Sequence, residues 1–236
     1  MKIRVLEGAQ EVARAAADFV AQELDARPEL VLAFPTGKTP MPMFDELAAR
    51  HARTGFSLAR ATTFQLDELL LPPDDPRSFR SFLREHAWSR LGAAEERCFL
   101  PNSRAADAEA ECRRYEDDLA QRGGLDLCVV GLGVDGHVAY NLPRPPRLDT
   151  HVIALPDEVA GANGVPPSER PLRAITMGLA TLGRARKLLL LATGALKAKP
   201  VRMLATRFDD PEWPCTFLAR HPDLTLLLDP AAASRL

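Results

Sequence analysis

The chain has no apolar run long enough to cross a bilayer. The longest, Leu188–Thr193, falls far short of the roughly 20 residues that a helical span needs. The N-terminus carries no signal-peptide pattern, because Met1–Leu6 already reads as a strand, so a cytoplasmic location is expected. Cysteine is sparse and unpatterned. Cys98, Cys112, Cys128 and Cys215 show no C-x-x-C spacing and no histidine in a zinc pattern. That predicts buried free thiols in a reducing compartment and excludes a zinc ribbon. Neither charge dominates: 30 basic and 32 acidic residues leave a net charge of −2. There is thus no general electrostatic reason to bind nucleic acid or an anionic membrane. Lysine is the scarce cation. Only Lys2, Lys38, Lys187, Lys197 and Lys199 stand among the 30 basic residues, so a lysine in a loop is notable.

What is present is ordinary globular material. At 236 residues, 46% apolar and 26% charged, the chain suffices for one large core. Short β runs alternate with helical stretches. Strands are expected at Ile3–Leu6, Leu30–Phe34, Ala61–Leu66, Leu125–Val130, His151–Leu155, Ala174–Met177, Lys187–Thr193 and Leu224–Leu228. Helices are expected after the first strand, at Met41–Arg53, around Ser78–Leu91, over Ala105–Arg122 and from Ala195. Several strands are continuously apolar, which indicates a sheet covered on both faces. The alternation predicts parallel βαβ units. The expected fold is a single α/β domain over residues 1–236: one doubly wound, mostly parallel sheet flanked by helices, modified Rossmann-like. Such sheets bind ligands at the carboxyl ends of their strands near the point where strand order reverses, which directs attention to the loops after Phe34, Leu66 and Val130.

The first loop, "AFPTGKTP" (Ala33–Pro40), contains G-K-T, but Leu32 stands where a Walker A motif requires glycine. Thr36, Gly37, Lys38 and Thr39 between strand and helix still suit an anion, through backbone N–H groups and hydroxyls. The same residues also fit a plain βα turn with Thr39 capping and Pro40 at N1. The second, "TFQLDELLLP" (Thr63–Pro72), puts Asp67 and Glu68 at a strand end. A carboxylate desolvated there can act as a general base, or can simply cap a turn. The third, "GLGVDGHVAYNLP" (Gly131–Pro143), has the G-x-G-x-x-G spacing of a dinucleotide site. Pro143, Pro145 and Pro146 leave no room for more than about two helical turns, and the nearest later acid, Asp149, comes too soon. Asp135 and His137 instead suit an acid/base pair whose carboxylate fixes the imidazole tautomer.

In this order, the three loops resemble those of the glucosamine-6-phosphate deaminase (isomerase) family, whose superfamily includes the 6-phosphogluconolactonases. "FPTGKTP" resembles Pro-Thr-Gly-Gly-Thr-Pro. "TFQLDEL" with "DPRSFRSFLREH" resembles Thr-Phe-Asn-Met-Asp-Glu-Tyr and its following segment. "GLGVDGHVAYNLP" resembles Gly-x-Gly-x-Asp-Gly-His-Ile-Ala-Phe-Asn-Glu-Pro. "AITMGLATLGRARKLLLLATGALKA" and "PCTFLARHPDLTLLLDPAAA" extend the likeness over nearly the whole chain. The resemblance implies Asp67 as the base at sugar C2 and C1, and His137, oriented by Asp135, as the ring-opening group. It places Thr36, Gly37, Thr39 and Lys197 at the phosphate, with Lys38, Glu68 and Gly133 in the same site. The implied partner is a hexose 6-phosphate, with no metal or organic cofactor; a homo-oligomer is compatible with it.

Three departures stand out. Asn141-Leu142-Pro143 replaces Asn-Glu-Pro, and leucine cannot relay a proton. Lys38 replaces a glycine. No downstream arginine aligns with the phosphate site: "VAGANG" stands near its place, and Arg170 or Arg173 is the nearest substitute. Loss of the glutamate, with "LGRARKLLLLATG", is shared with lactonases, whereas the first two loops are closer to deaminases.

Overall fold

The computed structural model describes residues 1–144 and 147–236. Pro145 and Pro146, within the proline-rich loop expected at Pro143–Arg147, lie outside the described residues.

Seven parallel strands form the central sheet. They are β1 (Lys2–Val5), β2 (Val31–Phe34), β3 (Thr62–Gln65), β5 (Cys98–Phe99), β6 (Leu127–Gly131), β9 (Lys187–Ala192) and β10 (Leu224–Leu228), in the spatial order β1-β10-β9-β6-β2-β3-β5. The continuous apolar runs arise because successive side chains serve opposite faces. Val31 and Ala33 join one core with Leu188 and Leu190, while Leu32 and Phe34 join the other with Leu189 and Leu191. On one face lie α1 (Ala9–Ala26) and α2 (Met41–Thr54); on the other lie α4 (Ala108–Gln121), α6 (Leu179–Gly183) and α7 (Ala198–Thr206). The doubly wound α/β expectation is met. Strand order reverses between β2 and β6: from β2 the chain builds outward through β3 to β5, and from β6 through β9 to β10.

Two expected strands lie elsewhere. β7 (His151–Ala154) and β8 (Arg173–Thr176) pair antiparallel in a separate three-stranded sheet whose third member is β4 (Asp67–Leu69). Short apolar segments cannot be assigned to one sheet or another by periodicity, since both environments bury them. This small sheet covers its own core of Leu69, Leu155, Leu172 and Ala174, joined by α5 (Asp157–Ala162) through Ala160. The helix expected around Ser78–Leu91 begins as α3 (Phe79–Leu83), widens into a π turn over Arg84–Trp88 and tightens over Ser89–Leu91. Ser78 caps it by accepting from the Ser81 N–H. No helix forms between β6 and β7 among the described residues, so the proline argument holds in full. Among the described residues no helix is long and apolar enough to cross a membrane. Three of the four free cysteines are buried and Cys98 is half-buried.

The end of β3 is fixed from beneath by Tyr115 on α4. Its hydroxyl accepts from the Gln65 N–H at 2.9 Å and donates to the Gln65 carbonyl at 2.7 Å. Tyr115→Phe leaves a buried backbone N–H unpaired at the last residue before Leu66 and Asp67. The expected cost is about 1–3 kcal/mol, measured by urea unfolding with an unchanged m-value.

Candidate active site

A cleft of about 420 Å³ opens at the carboxyl ends of β2, β3 and β6, on the strand-order reversal. All three loops singled out from the sequence line it. Thr36, Gly37, Lys38 and Thr39 form one wall, Asp67 lies at the floor, and Gly133 and His137 form the opposite wall. Lys197, from the turn preceding α7, completes it. Thr39 makes no capping hydrogen bond to α2, which starts after Pro40 without a side-chain cap. Its hydroxyl is therefore not engaged in the structural role that the sequence also allowed.

Asp67 follows Leu66 at the break where the chain leaves the large sheet for the small one. Its neighbour Glu68 is also buried, and the two carboxylates are handled differently. Glu68 collects four donors: Oε1 accepts from the Leu69 and Phe79 N–H groups, each at 2.8 Å, and Oε2 from Arg80 N at 2.8 Å and Gln65 Nε2 at 2.9 Å. Burial pushes its pKa up and these donors oppose the rise. Asp67 has no such set. Burial first, and the Glu68 charge second, push it from 3.8 to about 8. Glu68 does not line the cleft, which corrects the sequence assignment. It is a brace that ties the start of α3, and with it Phe79 on the cleft wall, to β4. Side chains of adjacent strand residues point in opposite directions, so only one of the two can face a ligand.

The glycines of the third loop make the imidazole's place. At Gly133 an added Cβ would stand 2.3 Å from His137 Nδ1, so the ring packs directly on the backbone. Gly136 has φ +84 and lies under Trp213, with a Cβ position 2.8 Å from the indole. The G-x-G-x-x-G spacing thus builds a histidine seat rather than a dinucleotide turn. His137 Nδ1 lies 2.6 Å from Asp135 Oδ1, the carboxylate standing off the axis of the ring N–H. The Asp135 carboxylate also accepts from the His137 backbone N–H at 3.2 Å. Burial works to raise the Asp135 pKa, but the adjacent imidazole and the backbone N–H donors bring it below its ordinary value. An ionised Asp135 beside Nδ1 leaves Nε2 as the nitrogen presented to the cleft. Lys197 is half-buried; desolvation lowers its pKa and Asp135 partly restores it.

The turn is locked to the small sheet. Tyr140 N–H donates to Thr176 Oγ1 at 3.0 Å, and Asn141 Nδ2 donates to the Val138 and Met177 carbonyls at 2.9 and 2.8 Å. Thr176 is also the residue opposite Asp67 in the β4–β8 register. Leu142 does not line the cleft, and among the described residues no side chain hydrogen-bonds His137 Nε2 in place of a glutamate. Neither Arg170 nor Arg173 reaches the site: Arg170 donates to the Val165 carbonyl at 2.9 Å, and Arg173 is exposed on β8. Among the cleft residues that received no role from the sequence are Phe79, Tyr140 and Asn163. Asn163 belongs to the "VAGANG" segment, which carries no arginine and no other spacing signal of a cleft residue. The remaining histidines are structural, with His151 and His221 facing backbone carbonyls at 2.8 and 2.6 Å and His86 packed on Phe82.

A doubly wound sheet with a raised carboxylate, an Asp–His pair and a lysine at its strand-order reversal defines an α/β enzyme-type site. The chain belongs to the family of glucosamine-6-phosphate isomerases and 6-phosphogluconolactonases, whose model matches residues 6–226. It is 35% identical to a glucosamine-6-phosphate deaminase of Halothermothrix orenii, over the full length of both chains. A Beutenbergia cavernae deaminase is 36% identical, over all of this chain and 93% of that one. Among solved structures, one described as a monomeric glucosamine-6-phosphate deaminase matches with a TM-score of 0.94 and 33% identity, covering both chains completely. The 6-phosphogluconolactonase of Trypanosoma brucei shares the fold at a TM-score of 0.80, with 22% identity over 100% of this chain and 98% of that one.

Gly133→Ala is expected to displace the imidazole and lower kcat by about 100-fold or more, while the melting temperature falls only modestly. Asp67 leads to a second expectation. Its folded-state pKa lies above its unfolded value of 3.8, so the native protein keeps a proton that the unfolded chain releases. Stability should therefore fall as pH rises from about 4 to about 8 and level off above that. Asp67→Asn should flatten this slope and stabilise the protein by about 2 kcal/mol or more at pH 8, measured by denaturant titration at both ends of the window.

Proposed function

We propose that the protein is a glucosamine-6-phosphate deaminase, converting an amino-hexose 6-phosphate and water to a ketose 6-phosphate and ammonia. The observation that carries this reading is the convergence of Asp67, His137 and the Thr36–Thr39 loop with Lys197 on one cleft, with Asp135, itself not lining the cleft, beside the His137 ring. The resemblance to deaminases over the full chain supports it. The phosphate sits in the N–H-rich loop, with Lys38 and Lys197 as point charges. His137 Nε2 takes the proton of the O1 hydroxyl and returns one to O5, opening the ring to the aldehyde. Asp67 then removes the C2 proton; the C–H pair becomes the C1=C2 bond, the aldehyde pair moves onto O1, and O1 takes a proton from the C2 ammonium, giving an enolamine. Returning that proton to C1 gives the C2 imine, which water hydrolyses to the ketone with loss of ammonia. Asp67 must be ionised for this. The substrate's own ammonium beside it supplies the opposite charge that burial denies. A cytoplasmic location belongs with this reading, supported by four cysteines that form no disulfide.

One observation favours a second chemistry. With Leu142 outside the cleft, His137 and Asp135 work without a third acid, which suffices to activate water against a lactone carbonyl. The decisive assay follows ammonia and fructose 6-phosphate from glucosamine 6-phosphate beside hydrolysis of 6-phosphogluconolactone. Ammonia release that Asp67→Asn lowers by at least about 1,000-fold is expected. Lactone hydrolysis dependent on His137, with no ammonia from the amino sugar, overturns the deaminase reading. The free-enzyme profile of kcat/KM should rise with pH toward about 8, the Asp67 value, rather than level off near 4.

A further inference from the structure

Tyr140 and Asn163 both line the cleft, and the deaminase reading leaves both unused. Tyr140 stands where the resembled motif has phenylalanine, so its ring is accounted for by packing and its hydroxyl is not. The ring stacks on Phe79 with centroids 5.8 Å apart and a 27° interplanar angle. Asn163 Nδ2 donates to the Tyr140 hydroxyl oxygen at 3.0 Å and to the Val159 carbonyl at 2.8 Å. Both amide hydrogens are therefore used within the protein. Two groups are left over among the described residues: the phenol hydrogen, which reaches no protein acceptor, and Asn163 Oδ1, which accepts no protein donor. Burial first, then the Asp67 carboxylate, push the phenol well above its ordinary pKa, so it stays a neutral donor at any working pH. Tyr140 is also tied by its backbone N–H to Thr176, the residue opposite Asp67, and lines the same cleft as that carboxyl.

One donor beside one acceptor is the complement of a hydroxyl, which both accepts and donates; an ammonium only donates. Resting on the deaminase reading, we propose that Tyr140 and Asn163 form a specificity pair that binds the sugar 3-hydroxyl, the one vicinal to the carbon that Asp67 deprotonates. The pair fixes C2 over the carboxylate and selects against sugars without an oxygen at C3. Tyr140 is a substrate-contacting specificity residue; Asn163 shares the contact and aims the phenol hydrogen outward by occupying its oxygen.

Tyr140→Phe removes only the oxygen and keeps the stack on Phe79. For glucosamine 6-phosphate, the variant should lose about 10- to 100-fold in kcat/KM at an unchanged melting temperature. For the 3-deoxy analogue, wild type and variant should be equal. Asn163→Asp, which turns the phenol hydrogen toward a carboxylate, should show the same loss. Calorimetric Kd values for the unreactive open-chain analogue 2-amino-2-deoxyglucitol 6-phosphate and its 3-deoxy counterpart read the contact without turnover. Wild type should prefer the first and Tyr140→Phe should not. An unchanged kcat/KM in the variant, or an equal loss on the 3-deoxy sugar, overturns the proposal. Wild type that releases no ammonia yet discriminates in Kd, through Tyr140, overturns the deaminase reading alone. Wild type that binds neither analogue overturns both.

Discussion

Two carboxylates on consecutive buried residues cannot both be ionised without compensation, and the rest of the site is arranged around that constraint. Glu68 is compensated by four hydrogen-bond donors, two of them from the first turn of α3. Asp67 is compensated by a proton. The unequal treatment leaves Asp67 a carboxyl of raised pKa, with no cationic side chain among the described residues bonded to it. It also explains why α3 starts where it does. The Phe79 and Arg80 N–H groups are helix-terminal donors that would otherwise need a capping partner, and Glu68 meets that need together with Ser78. The helix end and the buried charge stabilise one another.

The large sheet supplies position and the small sheet supplies alignment. The reversal between β2 and β6 leaves a crevice flanked by the Thr36–Thr39 loop and the histidine turn. The small sheet is formed by the chain leaving β3 at Leu66, so Asp67 opens the small sheet two residues after the large one ends. Gly133 and Gly136 act on the histidine side by omission: each lacks a Cβ where a ring already lies.

Much of this was legible in the sequence. The unbroken apolar segments at Leu30–Phe34 and Leu188–Ala192 indicated a covered parallel sheet, and the carboxyl-end rule pointed to the three loops that line the cleft. What was not legible followed from geometry that adjacency hides. Asp67 and Glu68 read alike as acids at a strand end, and only the packing of α3 separates the cleft carboxyl from the brace. Asn163 approaches from a segment more than twenty residues beyond the histidine turn, with no spacing signal to join them. Tyr140 lies inside the third motif, whose spacing gives its side chain no role, although it lines the cleft. His151 and Ala174 lay in correctly expected strands whose second sheet no hydrophobic period announces.

Thr176 has a consequence for how such a site could diversify. Its backbone lies opposite Asp67 and its hydroxyl holds the Tyr140 amide, so a single residue spans the base and the histidine turn. The separation between these groups is thus set by the three-stranded annex as well as by the seven-stranded scaffold. Small changes in that annex would retune the distance between proton acceptor and imidazole while the main core stays intact. Chemistry and folding stability are then inherited on separate parts of one chain, and a new reaction need not begin by endangering the old fold.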